Sequence, residues 1–126
     1  MKSPADPRRK RAEALGRAAE ETAAEFLRAQ GWEILGLRIK TRLGEIDLVA
    51  QRGEVTAFVE VKARSSRDQA IEAVTQRQAK RIIAAANCWI AANPQALAGD
   101  CRFDIILVSP YLLPEHIENA FGAEAW

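Results

Sequence analysis

A chain of 126 residues fits one domain, and its 48% hydrophobic content supplies a core, which excludes a disordered chain despite 28% charged residues. The formal net charge of +1 excludes any argument for an anionic partner from global charge and leaves only local patches to make it. The single histidine, His116, excludes a histidine-rich metal site, and the two cysteines, Cys88 and Cys101, outside any C-x-x-C pair, read as free thiols of a cytoplasmic protein.

Residues 1–8 are rich in proline and charge and read as a loose N-terminal tail, with 9–126 as one domain. No signal-peptide core follows the basic residues there, and no apolar run approaches the ~20 residues of a membrane span, so no membrane partner is expected. Ala12, Leu15, Ala19, Ala23, Phe26 and Leu27 recur at three- and four-residue steps and predict a helix up to Gln30, stopped by Gly31. "WEILGLRI" reads as a strand with a glycine irregularity, and "LGEIDLVA" and "VTAFVEVKA" as two more, joined by a turn over Gln51–Glu54. From Gln69 to Ala92 a second helix is predicted, with Ile71, Val74, Ile82, Ala85, Ala86 and Trp89 on one stripe and Pro94 after its end. "AANPQALAGD" is a loop, and "CRFDIILVS", apolar on both faces, is a buried strand. The last stretch, "YLLPEHIENAFGAEAW", reads as a short strand or a turn. The order α-β-β-β-α-β predicts an α/β fold, one mixed β-sheet flanked by helices.

The hairpin carries charge where a packed sheet favours apolar side chains. A two-residue turn at Arg52-Gly53 would set Asp47 opposite Phe58 and Glu45 opposite Glu60, with Asp47, Glu60 and Lys62 on one face and the two carboxylates as diagonal neighbours. A one-residue slip would part them. At ~4 Å two such charges repel by about 4 kcal/mol at an effective dielectric near 20, and a divalent cation removes that cost. Lys62 adds a compact cation able to orient a water or stabilise developing phosphoryl charge. The plain alternative is a half-exposed sheet whose outer face is simply solvated.

"GEIDLVA" followed by "AFVEVKAR" resembles the paired motif of the YraN-like family, an uncharacterised family related to Holliday junction resolvases and to the PD-(D/E)xK nucleases with their restriction-endonuclease-like core. The likeness runs from "GRAAEETAAEFLRAQGWEIL" through "EAVTQRQAKRI" and "CRFDIILV" to "EHIENAF". It implies that Asp47 and Glu60 hold Mg2+ or Mn2+, joined by Glu20 and the Val61 carbonyl, and that Lys62 is the catalytic lysine. Read locally, Glu20 lies at the border of the apolar stripe and has Arg17 and Arg28 as alternative partners. Gln78 falls on the stripe of the second helix, where the family usually has lysine; it is either a polar contact to phosphate or water, or a helix edge facing solvent. His116 and Asn119 are also family-like, and Asp104 with Arg102 reads as a structural pair.

Arg42, Arg64 and Arg67 surround the motif, and Arg8, Arg9, Lys10, Arg11 and Arg17 cluster before and in the first helix, a charge set suited to phosphates but equally to a solvated helix start. The expected activity is metal-dependent hydrolysis of phosphodiester bonds in DNA, branched substrates included, or in RNA. The resolvase relationship implies a homodimer, with no interface legible. The rival reading is a non-catalytic nucleic-acid-binding or adaptor module on the same fold. A nucleotide-binding protein finds no support, because no glycine-rich phosphate loop is present.

Overall fold

In a computed structural model that describes residues 6–97, 99–110 and 112–122, the elements follow in the order α1 (Pro7–Ala29), β1 (Glu33–Thr41), β2 (Gly44–Arg52), β3 (Val55–Ala63), α2 (Arg67–Ala73), α3 (Gln76–Ala92), β4 (Asp100–Val108) and β5 (Glu115–Phe121). The strands form one mixed sheet in the order β1-β2-β3-β4-β5, in which only the β3–β4 pair is parallel. The expected α/β class, a mixed sheet flanked by helices, is the fold found. Among the described residues no helix is long and apolar enough to cross a membrane.

Helices cover both faces of the sheet, which is why β3 and β4 are apolar on both sides. On one face Ala23, Ala24 and Leu27 of α1 pack with Trp32 against Leu48, Val59 and Ile106. On the other, Ile82 meets Ile105 and Ile117, while Ala85 and Ala86 meet Ile46, Val49 and Phe58. Alanines on both helices let them approach the sheet closely.

Helix α1 starts at Pro7, inside the expected tail: the Asp6 carboxylate accepts the Arg8 N–H, and proline at the first helical position has no N–H to lose. Residues 1–5 of that tail lie outside the described residues. The first three turns of α1 are exposed, Ala12 and Leu15 included, although their spacing predicts an apolar stripe; burial starts at Ala19. The predicted second helix is two. Thr75 caps α3 by accepting the Gln78 N–H, and Ser66 caps α2 by accepting the Gln69 N–H. The hairpin turns at Gly53-Glu54, one position later than expected, since Arg52 pairs with Val55. The C-terminal stretch holds a full strand, β5, whose register shifts against β4 and whose Asn119 takes a left-handed conformation (φ 51°).

Candidate active site

The ladder between β2 and β3 ends at Leu48↔Val59, and beyond it the strands part. Where the next bond would stand, the Val61 N–H donates to the Asp47 carboxylate at 2.9 Å. A strand residue sends its N–H and C=O to the same side, so the Val61 carbonyl is turned toward the same fork. Strand alternation also breaks here: Ile46 and Val49, three apart, both pack on the α3 side. Across β2 from Asp47, Arg38 of β1 adopts φ 51° between the paired residues Leu37 and Ile39. The sheet is thus distorted on both strands at the level of Asp47, and such irregularities commonly re-aim functional side chains.

Asp47 borders two chambers. One, about 570 Å³, lies toward α3 and is lined by Glu45, Asp47, Glu60, Gln78, Arg77 and Arg81. The other, about 390 Å³, lies toward α1 and includes Glu20, Asp47, Val61, Lys62, Arg64 and Leu15. Carried one step past Leu48↔Val59, the hairpin register sets Asp47 opposite Glu60 where the expected turn would make them diagonal neighbours, because the turn lies one position later. Lys62 Nζ lies 3.2 Å from Glu60 Oε1 and donates to Gln78 Oε1 at 3.3 Å. Gln78 in turn donates to Glu60 at 3.0 Å. Its amide therefore ties the lysine to the carboxylate from α3 and does not face solvent. Glu20 approaches from α1, where Arg38 holds it at 3.8 Å.

The electrostatics of the fork follow from burial. Burial, then the charge of Asp47, pushes the Glu60 carboxyl up to about 8, against the pull of Lys62. Burial also raises Asp47, offset by the Val61 N–H and by a hydrogen bond with Glu60. Glu20 is raised by burial and by Asp47, with Arg38 opposing. Burial and mutual repulsion thus push the Asp47–Glu60 pair toward sharing a proton instead of ionising fully. A strongly raised carboxyl in a cleft with a lysine beside it marks a candidate functional site.

Among the described residues no three His, Cys, Asp or Glu side chains gather closely enough to hold a metal between them. The Asp47–Glu60 pair nevertheless suits Mg2+, which takes one or two carboxylates and fills its remaining positions with water and phosphate oxygens.

The other residues singled out in the sequence are placed as follows. Arg64 lines the α1 chamber and donates to the Ala63 carbonyl at 2.8 Å. Arg67 pairs with Glu115, and Arg42 is exposed at the β1–β2 turn; neither lines a chamber. Arg8 pairs with Asp6 and Arg9 with Glu13. Asp104 is fully buried and accepts from Arg102 at 3.0 Å, His116 at 2.6 Å and the Asn119 N–H at 2.9 Å. His116 and Asn119 thus belong with Arg102 to one network around the buried Asp104, and none of the three lines either chamber. Glu45, Arg38, Arg77 and Arg81 carry no site signal in the sequence reading, yet three of them line the α3 chamber and Arg38 contacts Glu20.

The sequence profile of the uncharacterised protein family UPF0102 matches residues 19–108. A UPF0102 protein of Rhodopseudomonas palustris (strain HaA2) is 52% identical over 122 residues, covering 97% of this chain and 95% of the relative. A UPF0102 protein of Bradyrhizobium diazoefficiens is 50% identical over 119 residues, covering 94% and 90%, and one of Nitrobacter winogradskyi is 49% identical over 108 residues, covering 86% and 92%.

Proposed function

The chain belongs to the uncharacterised protein family UPF0102, the YraN-like family its motifs resemble, and from that premise we propose that it is a metal-dependent nuclease acting on phosphodiester bonds of nucleic acid, DNA before RNA. The observation that carries this reading is the juxtaposition, at the fork of β2 and β3, of Asp47 with Glu60 and of Glu60 with Lys62. Such a carboxyl pair costs stability when ionised, and a bound cation or a proton-using reaction is a common reason for a fold to keep it.

In this reading Asp47 and Glu60 hold Mg2+ or Mn2+, with the Val61 carbonyl turned toward the same fork and Glu20 as an outer carboxylate. The ion, when bound, activates a water and neutralises the scissile phosphate. Lys62 stabilises the charge that develops on the phosphoryl oxygens, and Gln78 keeps its ammonium against Glu60. Arg64 lies on the α1 side of the fork, where a phosphate leaving the centre would pass. The reading carries with it a cytoplasmic protein and, by the resolvase relationship, a homodimer. The second reading, a nucleic-acid-binding module without catalysis, is favoured by one observation: Lys62 and Glu60 already satisfy each other through Gln78.

Calorimetric titration with Mg2+ and Mn2+, in parallel with a cleavage screen over linear and branched substrates, separates the two. Wild type should bind metal and cut; Glu60→Gln should lose metal affinity and cleavage together; Lys62→Met should keep metal binding and lose turnover. Wild type that binds nucleic acid but neither metal, at millimolar concentration, would leave only the binding-module reading.

A further inference from the structure

Basic side chains are spread over the whole surface, and most of those near acids are already engaged. Among the described residues Arg8, Arg9, Arg38, Arg67 and Arg102 pair with carboxylates, and Lys62 pairs with Glu60. Arg52 lies over the Trp32 ring and donates to the Gln30 carbonyl. Arg77 and Arg81 are different. Both are exposed, both line the chamber that holds Glu45, Asp47 and Glu60, and neither forms an ion pair with those acids among the described residues.

Their placement is built by the fold. Thr75 caps α3 and fixes its first turn, so Gln78 reaches inward to Glu60 while Arg77 stays at the rim. Arg81 follows four residues later on the same side of the helix, about 6 Å further along its axis. The β1–β2 turn closes against it: a Cβ at Gly44 would stand 3.1 Å from the Arg81 carbonyl, a tight contact that glycine avoids. Two rigidly based guanidinium groups therefore stand at the mouth of an acidic chamber without discharging into it. Were their role to balance the acids, ion pairs with Glu45 or Glu60 would be expected. Left free, they present planar donor forks that match phosphate oxygens.

We propose that Arg77 and Arg81 form the phosphate-holding pair of this cleft: they take phosphate groups of one nucleic-acid strand on the α3 side, so that a neighbouring phosphodiester of that strand lies over Asp47 and Glu60. They are positioning residues. The second half of this statement rests on the nuclease reading; the binding half needs only that the protein takes nucleic acid.

Binding is measured by fluorescence anisotropy with a labelled single-stranded oligonucleotide and with its duplex, over a salt series, in the Glu60→Gln background so that strands are held and not cut. The salt slope of the affinity should fall by about 0.7 per arginine removed for the single strand and about 0.9 for the duplex in Arg77→Ala and Arg81→Ala, and by the sum in the double variant. The loss should be uniform across sequences. Arg77→Lys and Arg81→Lys should restore the slope. Arg28→Ala, on α1 and away from both chambers, should leave it unchanged. A double variant with the parent's slope and affinity would overturn this assignment while leaving the nuclease reading in place. A wild type that binds neither probe at low salt would overturn both.

Discussion

Glu60 and Asp104 are both buried carboxyl side chains, 6% and 0% exposed, and their surroundings act on them in opposite directions. Burial tends to raise the Asp104 carboxyl, but His116, Arg102 and the Asn119 N–H outweigh it and hold the group below its ordinary range. Glu60 has Lys62 and Gln78 on one side and the competing carboxyl of Asp47 on the other, and it ends up far above its ordinary range. Near-isosteric amide substitutions should therefore diverge. Asp104→Asn removes the charge that Arg102 and His116 were built around and turns an amide N–H2 toward donors, a loss of about 3–5 kcal/mol by the behaviour of broken buried pairs. Glu60→Gln puts a neutral amide of the same shape where burial and Asp47 already push the carboxyl toward its neutral form, so in EDTA at neutral pH the metal-free fold should be unchanged or slightly more stable. Thermal unfolding of both variants beside wild type measures the contrast; equal melting temperatures for Asp104→Asn and wild type would remove the structural role given to that network.

The elements were legible to different depths, and the reasons are local. The hairpin turn lies one position beyond Arg52-Gly53, yet Glu60 keeps its place on one face with Phe58 and Lys62, because moving a two-residue turn by one shifts pairing by an even number. The break at Asp47–Leu48, the left-handed Arg38 and the parting of the strands leave no mark in the alternation of apolar residues, so the fork itself was not readable. The division of the second helix was readable. "SRDQ" and "TQRQ" share one serine or threonine cap pattern, with glutamine three positions on, and both caps form. Strand β5 was obscured by its register shift and by Asn119. One junction fixes how the hairpin meets β4: the Asp100 N–H donates to the Glu54 carbonyl at 2.8 Å. A Cβ on Gly99, at φ 155°, would stand 2.5 Å from that same carbonyl oxygen. Gly99→Ala must push the turn from the strand, at a cost of about 2 kcal/mol. The melting temperature should fall by roughly 5–10 °C. Gly16→Ala, whose added Cβ meets nothing within 4 Å, is the matched control and should raise stability slightly. Equal melting for the two variants would show that the Gly99 junction is not a constraint.

For the molecule as a whole, the two carboxyl environments set opposite limbs of one stability curve. Glu60 is raised to about 8 from an unfolded value of 4.5, and Asp47 and Glu20 are raised as well, so between about pH 4.5 and 8 the folded protein binds more protons than the unfolded chain. Stability then falls as pH rises through that window. Asp104 is lowered, so its contribution is present above its unfolded value of 3.8 and is lost as pH falls through the lower folded value. The metal-free protein should therefore be most stable in mildly acidic solution and lose stability on both sides. A divalent ion bound by Asp47 and Glu60 needs both carboxylates ionised, and it stabilises the folded state by mass action. Its effect should be smallest near pH 5 and grow toward pH 8, where it offsets the decline. Melting temperature against pH, in EDTA and in millimolar Mg2+, gives two curves that separate with rising pH for wild type. In Glu60→Gln the EDTA curve should flatten and the two curves should lie closer together. Wild-type curves that superimpose across the range would mean that the carboxyl pair at the fork holds no metal, and a metal-free curve that rises from pH 5 to 8 would mean that the pair is not held protonated in the fold.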